Sequence, residues 1–455
     1  MIISGQMPDI DRCEAFRRFA KAQGSDEFVV PPLLLGKRDR RLHIRQTMRE
    51  DHRFRIRNRP EGAEAKFDKL AGSVFHFFRG TALLYYRDYA GTDAQLPQVF
   101  TMGDAHPENF GVMPSDDGTP IFGVNDFDEA WMAPFTWDVK RCAVGFHICA
   151  KENGFKKKHR RNAVRALADG YLRALVDYAR DERADSFQFR MDNSPEMIRD
   201  LIKGAMDTRR EFLEDLIDLD RCRFMPSEKI VPVSSRIDEF QGVIDTYRKT
   251  NTIGGAARPK DFFIVRDVAI KKGSGTASLG LDRYFVLLEG WGDGDDRCVV
   301  LEMKQTRRSS LYGLVPENDF ETSDQVKAIV AAQEIHLVGG DPFYGCAKIE
   351  GKSFLVRERS PFKDDVDVDD LDPDGMAEYA AICGAALAQT HARSDGRAPD
   401  RESRPERRIL EAVEPEIFCA DIVDFAHDAA KRVYADHKLF CRDHAIGVFR
   451  FRNTG

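Results

Sequence analysis

Hydrophobic positions fall into two regimes along the chain. Over residues 67–89, Phe75, Phe77, Phe78, Leu83, Leu84 and Tyr85 are spaced for a buried helix broken near Gly80. Short apolar runs at 96–102 and 121–124 predict strands, and each feeds a polar loop. From 137 to 248 the spacing is mainly helical. The pattern changes after Asn251, where Thr252-Ile253-Gly254-Gly255 reads as a linker. Runs at 262–270, 284–288 and 298–303 predict three strands, separated by glycine-rich turns at 273–280 and 290–294. Helical spacing returns over 323–338, two short strands follow at 346–349 and 354–357, and 376–391 is an alanine-rich helix. Residues from 405 onward read as helical. The expected class is α+β, in four segments. Residues 1–95 form a basic, helical segment and 96–250 a helical lobe. Residues 251–370 form an antiparallel β lobe, and 371–455 are helices completing the helical lobe.

Composition adds limits. A chain of 455 residues with 42% hydrophobic content can bury a sizeable core in two or three lobes. A net charge of −7 gives no general attraction to nucleic acid. Arg38, Arg40, Arg41, Arg45, Arg49, Arg53, Arg55, Arg57 and Arg59 form a basic cluster. It is either an anion-binding arm or a set of internal ion-pair partners, and the excess of acids favours the second. The nine cysteines are scattered without a CxxC pair, as expected of reduced thiols in the cytoplasm. The residues from Met1 to Gly5 carry no basic, leader-like start, and no apolar run is long enough to span a bilayer, so a soluble cytoplasmic protein is expected.

Candidate chemistry sits where the strands end. Gly103-Asp104-Ala105-His106-Pro107-Glu108-Asn109 puts an Asp and an Asn in one short loop, and Val124-Asn125-Asp126-Phe127-Asp128-Glu129 adds two more aspartates after a strand. One Asp can orient or deprotonate a hydroxyl, and an Asn with an Asp can hold Mg²⁺ against phosphates. Either segment alone is also what a polar turn looks like. Gly273, Ser274, Gly275 and Gly280 form a turn whose backbone can approach an anion, and Lys304 closes the third strand with a compact charge suited to phosphate. A lysine at such a site needs a carboxylate. Glu334 on the following helix is the first choice and Glu317 the alternative. Arg79, inside an apolar helix, either meets a phosphate or pairs with an internal carboxylate. His106 reads as a brace for its loop. Gln305, Arg307 and Arg308 either reach substrate or phosphate or are solvated surface, and the acidic stretch 364–370 either holds a divalent metal or is solvated; solvation is the favoured reading of both.

The Gly-Asp-x-His-x-x-Asn pattern of residues 103–109 and Asp126-Phe127-Asp128 resemble the catalytic and metal-binding loops of the protein kinase-like superfamily, in its aminoglycoside- and choline-phosphotransferase branch. Trp137-Asp138-Val139-Lys140-Arg141 is similar to the helix start whose Asp braces that catalytic loop, and residues 384–391 to the helix that normally precedes it. The whole set resembles an uncharacterised bacterial family, domain of unknown function twenty-two fifty-two. That resemblance rests on Phe77-Phe78-Arg79-Gly80, the Asp104 loop, residues 125–130, Trp137 to Arg141, the 273–280 turn, Lys304 and His391-Ala392-Arg393-Ser394.

In a kinase the glycine loop and lysine come first; here they follow the Asp104 and Asp126 loops. The expectation is therefore a two-lobe kinase-like fold, circularly permuted, with a small antiparallel sheet lobe and a larger helical lobe. The resemblance implies an ATP- and Mg²⁺-dependent phosphotransferase. Asp104 meets the acceptor hydroxyl, Asn109 and Asp126 ligate Mg²⁺ with Asp128 in support, and Gly273, Ser274, Gly275, Gly280 and Lys304, held by Glu334, bind the nucleotide. The acceptor is an unidentified small molecule or protein. A nucleotide-binding pseudokinase, an AMP-transferring enzyme and a metal-dependent hydrolase remain as alternatives.

Overall fold

In the computed structural model, one six-stranded antiparallel sheet collects most of the strand-forming sequence of the second half. Its strands lie in the order Gly345–Ile349, Lys352–Glu358, Val299–Gln305, Arg283–Leu288, Val265–Lys271, Ile230–Pro232. The structure describes residues 31–451 except 182, 207–208, 255–257, 260, 273–280, 291–296, 316–328, 334–336, 361, 363 and 395–403. Five of the six strands match the predicted runs, and the sixth, Ile230–Pro232, lies in a stretch read as helical. Helix Ile237–Thr250 packs Phe240, Ile244 and Tyr247 against the sheet's Val265, Val286 and Leu301. Part of the sequence grouped with the helical lobe thus builds the core of the sheet.

Alternation along Val299–Gln305 sets the site. Val299, Leu301 and Met303 enter that core. With a two-residue period, Glu302 and Lys304 must face the other way, and both line the cavity described below. The strand runs one residue past Lys304, to Gln305.

The largest core joins helices Phe135–Glu152, Lys157–Asp181 and Pro373–Ala392 to two short two-stranded sheets. Two of these helices meet through glycine. A Cβ on Gly170 would lie 2.3 Å from Ala381 O, and one on Gly384 would lie 2.2 Å from Leu167 O. The backbones therefore touch where any side chain would separate them. The apolar segment predicted over 67–89 becomes three helices, Pro60–Gly72, Val74–Arg79 and Ala82–Tyr89.

A third cluster packs Ile44, Met48, Phe67 and Phe77 against Leu439, Phe440 and Phe449. Much of the arginine cluster serves internal pairing. Arg40 is buried and donates to both Asp88 (2.7 Å) and Asp436 (2.9 Å). Arg41 and Arg45 share Asp443, and Arg59 reaches Asp282. The acidic stretch 364–370 is not simply solvated, because Val366 and Val368 are buried in the main core. Among the described residues the cysteines are free thiols, and no helix is long and apolar enough to cross a membrane.

Candidate functional site

Two hairpin-like pairings bring the motif loops together. Strand Gln98–Thr101 pairs with Trp131–Pro134, and Phe110–Pro114 pairs with Pro120–Val124. The loops 102–109 and 125–130 thus emerge side by side. The Asn125 N–H donates to Asn109 O at 3.1 Å, and Asn109 Nδ2 donates to Asp104 O at 2.9 Å. Gly103 makes the turn possible. Its φ is +76°, and a Cβ there would sit 2.0 Å from Glu129 O. Gly103→Ala is expected to cost about 1–3 kcal/mol in backbone strain before the clash with Glu129 is counted. A lowered thermal midpoint by circular dichroism checks it.

Asp138 anchors the first loop from below. It is fully buried on helix Phe135–Glu152 and accepts from Met102 N at 2.7 Å and Gly103 N at 3.0 Å. His391 Nε2 lies 3.3 Å from the same carboxylate, and His391 Nδ1 lies 2.9 Å from Tyr171 Oη. One helical turn further, Arg141 donates from Nε to Asp104 Oδ1 at 2.7 Å and from Nη2 to Phe78 O at 3.1 Å. Its guanidinium also lies 4.3 Å from the Phe78 ring centre. Burial pushes the Asp104 carboxyl above its usual range, with Arg141 opposing.

The second loop meets the sheet. The Asp128 N–H donates to Asp126 Oδ1 at 3.1 Å. Lys304 Nζ ion-pairs with Asp128 and lies 3.9 Å from Asp126 Oδ2. Burial pushes Asp126 upward, but Lys304, the Asp128 N–H, Arg357 and Arg283 together outweigh it and hold the carboxyl below its usual range. Glu302, the neighbour of Lys304 on the same face, is taken by Arg283 and Arg357.

A cavity of about 450 Å³ opens between these loops and the sheet. Its wall combines Asn109, Asp126 and Lys304 with apolar Val112, Met113, Leu337, Tyr344 and Phe362. Asp341 also borders it, pushed up to about 7 by burial and by Glu358. A second chamber of about 30 Å³ shares Asn109, Asp126 and Lys304 with the first and adds Asp104 and Asp128. Asp104, Asn109, Asp126, Asp128 and Lys304, chosen from sequence, therefore line one space. Gly273, Ser274, Gly275, Gly280, Glu317 and Glu334 lie outside the described residues. The carboxylate that Lys304 meets here is Asp128.

Arg79 takes the internal-carboxylate alternative, pairing with Glu108, and lines both chambers. His106 is buried, and its ring accepts from the Glu108 N–H. Burial, with Arg79 and Arg141 nearby, keeps the ring far below its ordinary pKa and so neutral. The expectation that Gln305 and Arg307 are solvated is corrected. Gln305 is buried, and Arg307 bridges Asp51 (2.8 Å) and Glu129. Sequence reasoning gave no role to Arg141 or Lys66. For Arg141 a signal existed, since Asp138 and Arg141 are three residues apart and so share one face of helix Phe135–Glu152.

Among the described residues no group of three or more His, Cys, Asp or Glu is arranged to hold a metal ion. The donor set of Asn109 and Asp126 nonetheless fits Mg²⁺. That ion binds through one or two protein oxygens, phosphates and water, not through a cage made only of protein.

A family model described as "Uncharacterized protein conserved in bacteria (DUF2252)" matches residues 57–443. No curated protein and no solved structure matches the chain.

Proposed function

The chain belongs to this bacterial family, DUF2252, and from that premise we propose that it is an ATP- and Mg²⁺-dependent phosphotransferase with a circularly permuted kinase-like fold. The observation that carries the reading is the meeting of Lys304 with Asp128 and Asp126 across a separation of 176 residues to Asp128. Chemistry-bearing side chains from two distant segments close on one cavity, as a triphosphate between two lobes requires. The packing of His391 beneath the Asp104 loop, through Asp138, supports the permuted order. In a kinase-like chain that helix and that loop are consecutive; here 287 positions separate His391 from Asp104.

Bound Mg²⁺ would neutralise charge on the transferring phosphate. The chain's own residues do the rest. Asn109 and Asp126 would hold the ion through their side-chain oxygens, and the Asn109 amide is fixed by donating to Asp104 O. Lys304 offers a compact positive charge to the phosphates. Asp104, fixed by Arg141, orients the acceptor hydroxyl and receives its proton. Its raised carboxyl pKa makes it a better base than an exposed aspartate, because proton affinity and driving force rise together. The apolar wall of Val112, Met113, Leu337, Tyr344 and Phe362 suits a purine.

Calorimetric titration with Mg·ATP tests the reading. Wild type is expected to bind. Lys304→Ala is expected to bind about tenfold to a hundredfold more weakly, through loss of a charge-assisted contact worth about 1.5–3 kcal/mol. Absence of any heat from folded wild type would end the nucleotide reading. Mass analysis of products made from labelled ATP separates phosphate transfer from AMP transfer.

A further inference from the structure

Lys66 has no use in the scheme above, yet it is a buried lysine. It lies on helix Pro60–Gly72 and is 1% exposed. Among the described residues, no carboxylate lies within ion-pairing distance of its amine and no side-chain or backbone group accepts a hydrogen bond from it. A buried ammonium is normally paired or bound to an anion, since leaving it bare costs several kcal/mol. The surroundings do not supply the missing charge. The carboxylates that act on Lys66, Asp51 and Glu129, are both bridged by Arg307, and the other carboxylates of the chamber, Asp104, Asp126 and Asp128, face Arg141 and Lys304. Burial first, then the two arginines, drive the Lys66 amine well below its usual pKa.

Position shows where the absent partner belongs. Lys66 lines the small chamber together with Asp104, and neither borders the larger cavity. Asn109, Asp126 and Lys304 stand between the two spaces and line both. With the nucleotide in the larger cavity, the small chamber lies on the far side of the metal-binding pair, where an acceptor must approach Asp104. Its volume of about 30 Å³ admits a small group and excludes a ring.

We propose that this chamber is the acceptor end of the site and that Lys66 binds a negatively charged group, carboxylate or phosphate, of an anionic alcohol. This assignment rests on the phosphotransferase reading for its word "acceptor", whereas the anion site itself does not. It selects against cationic amine sugars, which would add a second unpaired positive charge beside Lys66.

The test is calorimetry on the full chain with inorganic phosphate as the probe, acetate as a second arm, and Mg·AMP-PNP added or withheld. Wild type is expected to bind phosphate with AMP-PNP already saturating. Lys66→Met is expected to lose at least about tenfold in phosphate affinity while keeping its affinity for Mg·AMP-PNP, and Lys66→Arg to restore most of the loss. Preference for acetate over phosphate, or the reverse, assigns the anion as carboxylate or phosphate. Equal phosphate affinity in wild type and Lys66→Met overturns the proposal. So does a wild type that takes up no phosphate, or AMP-PNP that expels it, since Lys66 would then serve the nucleotide itself. Wild type that binds phosphate through Lys66 but never binds Mg·AMP-PNP removes the nucleotide reading and leaves the anion site standing. Should Lys66→Met not fold, protection of the Lys66 amine from acetylation by phosphate, read by peptide mass, decides the same question.

Discussion

Asp126→Asn is expected to weaken Mg·ATP binding by about a hundredfold or more while leaving the fold intact. The asparagine oxygen can still accept the Asp128 N–H, which now reaches Asp126 Oδ1 at 3.1 Å, so the loop keeps its shape. What disappears is the negative charge. In the native site Lys304, Arg357 and Arg283 hold that charge against the cost of burial. An amide oxygen is a far poorer magnesium ligand than a carboxylate. Lys304, moreover, would then turn wholly to Asp128 and compete less well for phosphate. Calorimetry with and without Mg²⁺ reads the effect, and a thermal midpoint near that of wild type shows that the loss is local. Unchanged magnesium dependence would remove Asp126 from the metal site.

Asp138→Ala is expected to be the most destabilising single change in the helical region, at about 2–6 kcal/mol. It strands the Met102 and Gly103 N–H groups in a dry interior, at about 1–3 kcal/mol each, and takes from His391 the carboxylate beside its Nε2. Against a typical total of about 5–15 kcal/mol this is a large fraction. Asp138→Asn should recover part of the loss, because one amide oxygen can serve one N–H while its NH₂ opposes the other. Urea titration of the three proteins gives the ranking. A cost below about 1 kcal/mol for the alanine variant would show that water replaces the carboxylate without penalty.

What could be read from the bare chain divides along physical lines. The strands that hold Asp104, Asp126 and Lys304 were legible because each is a short apolar run ending in polar residues of distinct chemistry. The sixth sheet strand was not, since Ile230–Pro232 is three residues long, ends in proline and lies at an edge, where little alternation is needed. Trp131–Pro134 escaped for the same reason of length. Asp128 as the companion of Lys304 was hidden because tertiary proximity leaves no mark on spacing, whereas a glutamate on the next helix follows a familiar order. Gln305 and Arg307 look solvated in a run of polar residues, and only the folding of Asp51 and Glu129 around Arg307 makes it internal. Lys66, in a charged stretch of helix, has the appearance of an ordinary surface lysine.

The buried bridge from Arg40 to Asp88 and Asp436 bears on how the polypeptide is made. Ribosomes release residue 40 long before residue 436 exists, so that guanidinium and the aromatic surface around Phe67 must wait without their final neighbours through almost the entire translation. Any function that needs the complete fold therefore begins only once the last long helix, Pro415–Ala445, has left the exit tunnel.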